Sequence, residues 1–269
     1  MKPQEELEYL KGFIQLTEHQ AQKRDDLERF LYRNNKTLLI DADSLLFNVA
    51  HFHLDDDSEL DDNYEEFLSQ AVEIANHIED NGYDIEDMVY FFTTCKNNFR
   101  KELYPEYKAN RPVNEITQFV KVLKNYTILR LEDEGIKVHY SDTLEADDLI
   151  RPESSRDTII CSIDKDLKQI EGCHFDYYKK NTGDIDEFLE PIKAYKGFSF
   201  TTKQEGYEML LNQLLVGDTS DNIKGVVGIG KVKAKKLLAG RNNFGKLRAV
   251  YEAYNNRKQL ETNIKLMKL

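Results

Sequence analysis

Four short acidic clusters punctuate this 269-residue chain: Asp41-Ala-Asp43, Glu145-Ala-Asp147-Asp148, Asp164-Lys-Asp166 and Asp218-Thr-Ser-Asp221. Carboxylates crowded into a low-dielectric site raise one another's pKa, so they cannot all stay ionised unaided. A divalent cation removes that conflict, and an all-oxygen ligand set suits a hard ion such as Mg²⁺ or Mn²⁺. The chemistry this predicts is metal-dependent phosphoryl transfer. Each cluster alone is weak evidence. An Asp-x-Asp is a common surface pattern, an acid at a helix start complements the dipole, and Gly217-Asp218-Thr-Ser-Asp221-Asn222 reads equally as a polar turn.

The elements around the clusters strengthen the case. Lys36–Asp41 is a short apolar run that predicts a buried strand with its carboxylate at the tip. Tyr64–Asn81 and Val113–Glu134 have helical patterning, and Asp87–Thr93 and Ile136–Tyr140 read as strands. Glu145 opens a helix kept brief by Arg151-Pro-Glu-Ser-Ser-Arg156, and Thr158–Ile163 is a fourth strand running into Asp164. Tyr177-Tyr178 belongs to a further strand, and residues 4–34 form one or two amphipathic helices before the core. Strands alternating with helices predict an α/β fold, a mostly parallel central sheet flanked by helices. Such sheets bind ligands beyond the carboxyl ends of their strands, where Asp41 and Asp164 fall.

The net charge of −12 conceals an asymmetry. From Lys224 onward twelve Lys and Arg face only Glu252 and Glu261, a balance of +10, which leaves −22 on the preceding residues. A basic module on an acidic body suits a protein that grips phosphates at one end and holds metal at the other. The run Asp55–Glu66, with eight acidic residues, reads as a solvated face. No apolar run approaches the length of a membrane span. The polar start Met1-Lys-Pro-Gln-Glu-Glu does not read as a signal peptide. Cys95, Cys161 and Cys173 lack zinc-type spacing and suggest a reducing, cytoplasmic setting without disulfides. Cys95 and Cys161 read as buried apolar groups, and His51 and His53 as packing histidines.

Gly225-Val-Val-Gly228-Ile-Gly230-Lys231 precedes Val232-Lys-Ala-Lys-Lys-Leu-Leu238. Glycines admit a phosphate close to the backbone, and amides at a helix start point at the anion. Lys224, Lys231, Lys233, Lys235 and Lys236 supply counter-charge around Gly228 and Gly230. This predicts a hairpin between helices that holds a duplex backbone without reading sequence. It is not a nucleotide-binding loop, because Val232 follows Lys231 where Ser or Thr is needed and no strand is expected before it.

Here the chain resembles a known family. Gly217-Asp218-Thr-Ser-Asp221-Asn222-Ile-Lys-Gly225-Val-Val-Gly228-Ile-Gly230 is similar to the motif of the 5′ nucleases, which include flap endonucleases, bacteriophage 5′→3′ exonucleases and the 5′ nuclease domain of bacterial DNA polymerase I. Phe99-Arg100-Lys-Glu-Leu-Tyr-Pro-Glu-Tyr107-Lys108-Ala-Asn-Arg111 resembles the family's arch segment, and Leu144-Glu145-Ala-Asp147-Asp148 and Ser162-Ile-Asp164-Lys-Asp166-Leu match in the family's order. The resemblance runs from about Lys36 onward and is nearest the bacteriophage enzymes. It implies a PIN-like nuclease core over 37–200 with a helical arch near 96–125, a helix-three-turn-helix region over 201–269, and an N-terminal helical extension over 1–36. Asp41, Glu145, Asp147 and Asp164 would hold one Mg²⁺ or Mn²⁺. Asp166, Asp218 and Asp221 would hold a second, with Asp148 in support. Lys108 and Arg111 would stand on a helical gateway and hold the scissile phosphate beside the catalytic Asp164 and Asp166, and Tyr107 would stack on an unpaired base. The helix-three-turn-helix would bind duplex DNA and hold a K⁺. The implied protein is a monomer that trims flaps, 5′ ends and RNA–DNA primers in phage-type replication.

One departure stands out. The family has an Asp just after the second strand, where this chain has Phe92-Thr93-Thr94-Cys95-Lys96. Thr93 or Thr94 could hold a metal-bound water there, and Asp43 could compensate, although on an extended strand it would point elsewhere. Two rivals follow. One is a non-catalytic branched-DNA binder of the same fold. The other is a haloacid-dehalogenase-type phosphatase built on Asp41-Ala-Asp43-Ser, against which the basic hairpin argues.

Overall fold

The apolar run after Asn35 becomes the middle of a six-stranded sheet. The computed structural model describes residues 35–52, 60–185 and 191–269. The helices expected over 4–34, residues 55–59 of the acidic run and the side chains of His51 and His53 lie outside the described residues. In chain order β1 (Asn35–Asp41) leads to α1 (Ala42–Phe52), α2 (Leu60–Asp80), β2 (Asp84–Thr93), the short α3 (Phe99–Leu103), α4 (Glu115–Asp133), β3 (Val138–Ser141), α5 (Ala146–Glu153) and β4 (Thr158–Cys161). A 3-10 turn (Asp166–Gln169) precedes the long pair β5 (Gly172–Ile185) and β6 (Pro191–Thr201). The rest is α6 (Lys203–Val216), the two-residue strands β7 (Gly217–Asp218) and β8 (Ile223–Lys224), α7 (Lys231–Leu238), α8 (Asn243–Ala253) and α9 (Arg257–Met267).

The strand order is β3-β2-β1-β4-β5-β6, parallel except for β6. The chain builds outward from β1 to β3, then returns to β4 on the other flank of β1. That reversal opens a crevice beyond the ends of β1 and β4, the usual ligand position in such sheets. Alternation explains why both faces are covered. Leu38 and Ile40 pack with Tyr90 and Phe92 under α1, α2 and α4, while Leu39, Val89, Phe91 and Ile160 meet Ala146 and Ile150 of α5 and Leu167 of the 3-10 turn. Helix starts follow local chemistry: Asn114 and Thr117 form a capping box for α4, and Thr202 and Glu205 do so for α6.

A second apolar cluster joins Leu211, Leu214 and Leu215 of α6 to Ile223, Ala234, Val250, Leu260 and Leu266. Two close approaches set this region against the sheet. A Cβ on Gly206 would collide with the Gln169 carbonyl, so glycine lets α6 lie directly on the 3-10 turn. Gly217 and Gly225 face each other across the β7–β8 hairpin so tightly that a Cβ on either would enter the other's backbone, and Gly217 also has φ +85°.

Candidate active site

The crevice at the strand reversal is where the acidic clusters meet. Asp41 ends β1 and is buried, and its Oδ2 accepts from Ser162 Oγ at 2.7 Å and Ser44 Oγ at 3.0 Å. Ser162 lies just past β4 and its Oγ also accepts from the Asp164 main-chain N–H at 2.9 Å, so one hydroxyl ties the Asp41 carboxylate to the backbone at Asp164. Glu145 caps α5 and Asp147 sits in its first turn. Burial raises the Asp147 carboxyl well above the usual range, and the charges of Asp41, Asp164 and Glu145 raise it further. Asp41 is pushed up to about 6 by burial and then by Asp43 and Asp164. A second group meets the first at Asp164: Asp166 is pushed up to about 7 by burial and Asp164, with Asp218 and Asp221 adding to the effect. Nearby acids that hold one another's protons are the electrostatic mark of a site built for a cation.

Basic side chains stand among these acids. Lys108 Nζ lies 2.8 Å from Glu145 Oε1 and 3.9 Å from Asp221 Oδ2. Arg111 pairs with Asp221 at 2.8 Å, and Lys165 with Asp218 at 3.2 Å. Burial works to raise Glu145, but Lys108 and Arg100 outweigh it and hold the carboxyl below its usual range. Asp218 is likewise held low against burial by its hydrogen bonds from Ser220 and Lys165. Among the described residues no three acidic, histidine or cysteine side chains are gathered tightly enough to close on one ion as they stand. Instead the carboxylates of Glu145, Asp218 and Asp221 each turn toward an ammonium or guanidinium.

Asp221 lies between the strands of the tight β7–β8 ladder, after which the chain turns at Gly228 (φ +77°) and enters α7 at Lys231 behind Gly230. Lys231, Lys233, Lys235 and Lys236 are all exposed on α7, and Lys233 Nζ donates to the Gly228 carbonyl at 2.9 Å. Val227 at the turn is 99% exposed. The exposed Lys224 side chain leaves β8, whose carbonyl accepts from Asn263 of α9 at 2.8 Å.

Comparison with known proteins decides the family. The family model for the 5′-3′ exonuclease, N-terminal resolvase-like domain, matches residues 36–194, more than half of the chain. The chain belongs to the 5′-3′ exonuclease family. It is 26% identical over 237 residues to a 5′-3′ exonuclease of Buchnera aphidicola subsp. Schizaphis graminum, covering 86% of this chain and 77% of that one. It is 32% identical over 152 residues to DNA polymerase I of Pseudomonas aeruginosa, covering 53% of this chain but 15% of the polymerase. Among solved structures, the T5 D15 protein co-crystallised with metal ions superposes with TM-score 0.59 at 16% identity over 87% of this chain and 89% of that one, which establishes a shared fold.

Against the family's pattern the structure makes several corrections. No continuous helix bridges 96–125, since residues 104–111 form turns between α3 and α4. Lys108 and Arg111 therefore sit on a turn rather than a helical gateway, and Lys108 has a left-handed φ of +57°. That turn is fastened down: the Lys108 N–H donates to the Asp221 carbonyl at 3.0 Å and Asn110 Nδ2 to the Thr219 carbonyl at 2.8 Å. Tyr107 is not presented for stacking. It is 2% exposed, and its hydroxyl lies between two carboxylates, 2.8 Å from Glu145 Oε2 and 2.9 Å from Asp221 Oδ2, with one O–H to share between them. Asp148 does not face the acid groups as a ligand, because Arg100 grips both its oxygens and its Oδ2 caps the Glu145 N–H. Asp43 lies in the first turn of α1 rather than on a strand, where it accepts from the Thr93 N–H at 3.0 Å and pairs with Lys124 at 2.6 Å. Cys95 is half-buried, not buried, and a two-residue strand does precede Gly225.

Four contributors escaped the reading of the sequence. Arg100 is 2% exposed and holds α5 through Asp148. Asn98 caps α3 and donates to Glu145 Oε1 at 2.9 Å. Lys124 reaches from α4 to the Thr93 carbonyl at 2.9 Å, bringing a fixed positive charge to the strand end that lacks a carboxylate. Ser162 links Asp41 to Asp164. Arg100 carried a usable signal, an arginine two residues after an Asn cap beside an acid-rich helix start. Lys124 carried none, since its role depends on where α4 crosses β2.

Proposed function

We propose that this protein is a divalent-metal-dependent 5′ nuclease that hydrolyses DNA phosphodiesters at flaps and 5′ ends, and RNA–DNA primers by the same site. The observation that carries this reading is the pair of carboxylate groups sharing Asp164 at the strand reversal, with Lys108 and Arg111 poised between them. The donor set fits hard cations: it is all carboxylate oxygen, partly buried, and three of its members have pKa values raised by burial and then by mutual repulsion. Asp41, Glu145, Asp147 and Asp164 would hold one ion, and Asp166, Asp218 and Asp221 a second. When bound, two such ions supply Lewis-acid polarisation of the phosphodiester and an ionised attacking water.

The chain's own groups do the rest. Neutralising Glu145 and Asp221 frees Lys108 and Arg111, whose ammonium and fork of N–H donors suit a phosphate. Tyr107 keeps the two acid groups at a fixed spacing through its shared hydroxyl. Residues 37–200 form the nuclease core, and α6, the hairpin and α7 form a helix-three-turn-helix within 201–269. That element would hold duplex DNA through Gly228, Gly230 and the α7 lysines, with a K⁺ at the turn. A bacteriophage T5 D15 flap endonuclease solved with DNA and metal ions shares this fold, with TM-score 0.56 at 15% identity. The protein would act as a monomer in replication or end processing.

The test is cleavage of a 5′-labelled flap duplex with and without Mg²⁺, beside Asp164→Asn. Metal-dependent cuts near the junction that vanish in the variant support the reading. Flap binding without cuts in either Mg²⁺ or Mn²⁺ would leave a branched-DNA binder in which Lys124 and Asp43 have replaced a ligand.

A further inference from the structure

The acid groups are held from below by a part of the chain far from any of their motifs. The end of α9 and the residues after it pass under the crevice, and Leu266, Met267 and Leu269 line a cavity of about 30 Å³ together with Glu145, Asp147, Asp166 and Asp221. On one side the Leu266 carbonyl accepts from Arg100 Nε at 2.9 Å, and Arg100 grips Asp148 on α5. On the other side Gln169 Nε2 donates to the Met267 carbonyl at 2.8 Å and to Gln213 Oε1 at 2.7 Å, and Gln213 Nε2 donates to Asp166 Oδ1 at 2.7 Å. The Leu269 N–H closes the chain on Gln169 Oε1 at 3.3 Å.

The polarity of this relay is fixed at both ends. A main-chain carbonyl at Met267 can only accept and the Leu269 N–H can only donate, so Gln169 presents its N–H₂ to Met267 and to the Gln213 oxygen, which leaves the Gln213 N–H₂ for Asp166. Turning either amide over would set oxygen against oxygen. The relay also cannot slide, because Gly206 lets α6, which carries Gln213, rest on the Gln169 carbonyl. A carboxylate oriented by such a partner binds metal more tightly than one free to rotate, and loss of a partner of this kind costs about 10- to 100-fold in metal affinity.

We infer that Gln169 and Gln213 are positioning residues for Asp166, and that the segment Leu266–Leu269 is their anchor, so that the final helix serves the acid centre as well as its own helical region. The inference rests on the metal-site reading above and concerns only the second acid group.

The experiment is binding of Mn²⁺ alone, without DNA, followed by the electron paramagnetic resonance signal of the free ion, for the full chain and for Asp166→Asn, Gln213→Met and Gln169→Met. Circular dichroism in chelator reports whether each variant is folded. Two sites in the wild type and one in Asp166→Asn establish the reading of the acid groups independently, and absence of Mn²⁺ binding in the wild type would overturn that reading and this inference with it. Both glutamine variants are expected to weaken one site by about 10-fold and leave the other unchanged. Gln169→Met is the sharper of the two, since Gln169 touches no carboxylate. A wild-type isotherm in Gln169→Met, with Gln213→Met weakened, would overturn the role of Leu266–Leu269. Should Gln169→Met fail to fold, a wild-type isotherm in Gln213→Met alone overturns the proposal.

Discussion

The acid crevice and the basic hairpin are built in opposite ways. In the crevice the charges are committed to partners, and four of them, Asp41, Glu145, Asp218 and Arg100, are buried, while Asp164 and Arg111 stay exposed. At the hairpin the lysines of α7 stand in solvent, and among the described contacts Lys233 alone of the four turns back, to a main-chain carbonyl. The packing beneath both is apolar, so the difference matches the two tasks proposed for them. A reacting centre gains from groups that cannot move, because reorganisation at the moment of reaction is what it must avoid. A surface that follows a phosphate backbone gains from mobile charges that adapt to it. Single changes in the crevice should therefore act on turnover in large steps, and changes on the hairpin should act on affinity in small, additive ones.

The largest effect is expected at Asp166. Asp166→Asn preserves volume and hydrogen bonding but removes the charge, and it should lower single-turnover cleavage of a flap duplex by about 10³-fold while flap affinity, measured by fluorescence anisotropy, stays near wild type. Full activity in that variant would remove the second acid group from the chemistry. Lys108→Ala comes next. Lys108 bridges Glu145 and Asp221, and its expected partner in the reacting complex is the phosphate. Turnover should fall by about 10²-fold with little change in affinity, and an unchanged rate would show that the turn carrying it is only a strap.

Burial also makes the sheet half sensitive to pH. His174 is 3% exposed, and burial, with Lys168 adding to it, pulls its pKa down to about 4 from an ordinary 6.5. Its Nε2 lies 2.9 Å from the Ile170 carbonyl, which fixes that nitrogen as the donor. The unfolded chain binds the proton below about pH 6.5 and the folded chain only near 4, so stability is full above 6.5 and is lost as pH falls through that window. At pH 5 the loss from this residue amounts to about 2 kcal/mol. Urea denaturation of the wild type and His174→Asn across pH 4.5 to 7 isolates the effect, because every other titrating group is common to both. Curves that stay parallel would show that His174 protonates without penalty.

Much of this was legible in the sequence. The strands β1, β2, β3 and β4 fall within a few residues of their predicted bounds because apolar runs between turn-forming residues leave few alternatives. The acidic clusters were located correctly as strand ends and helix starts, since Asp41 and Glu145 stand where the periodicity breaks. What the sequence hid is set by contact between distant elements. Tyr107 reads as an exposed aromatic in a polar, basic stretch, yet the fold seats it against Glu145 and Asp221, residues 38 and 114 positions away. Asp148 and Asp147 are neighbours of the same type, and only Arg100, arriving from α3, decides that one faces the crevice and the other does not. The resemblance implies a helical arch near 96–125, but Pro105 and the tertiary bonds to Thr219 and Asp221 hold residues 104–111 as turns.

The smallest effect belongs to the hairpin and tests the other arm of the comparison. Lys235 is exposed on α7, so its contribution to duplex binding should be the release of about one condensed counterion. Lys235→Ala should weaken duplex affinity only a few-fold at moderate salt. The slope of log affinity against log salt should shallow by about 0.9, with the cleavage rate of bound flap unchanged. Asp166→Asn should leave that slope where it was, since it removes no cation. If Lys235→Ala instead slowed cleavage of the bound complex, the hairpin would be setting the position of the scissile phosphate as well as its residence. The division between a rigid centre and an adaptable grip would then fail at its basic end, because a side chain free in solvent would have to become fixed on binding and bear on geometry in the crevice.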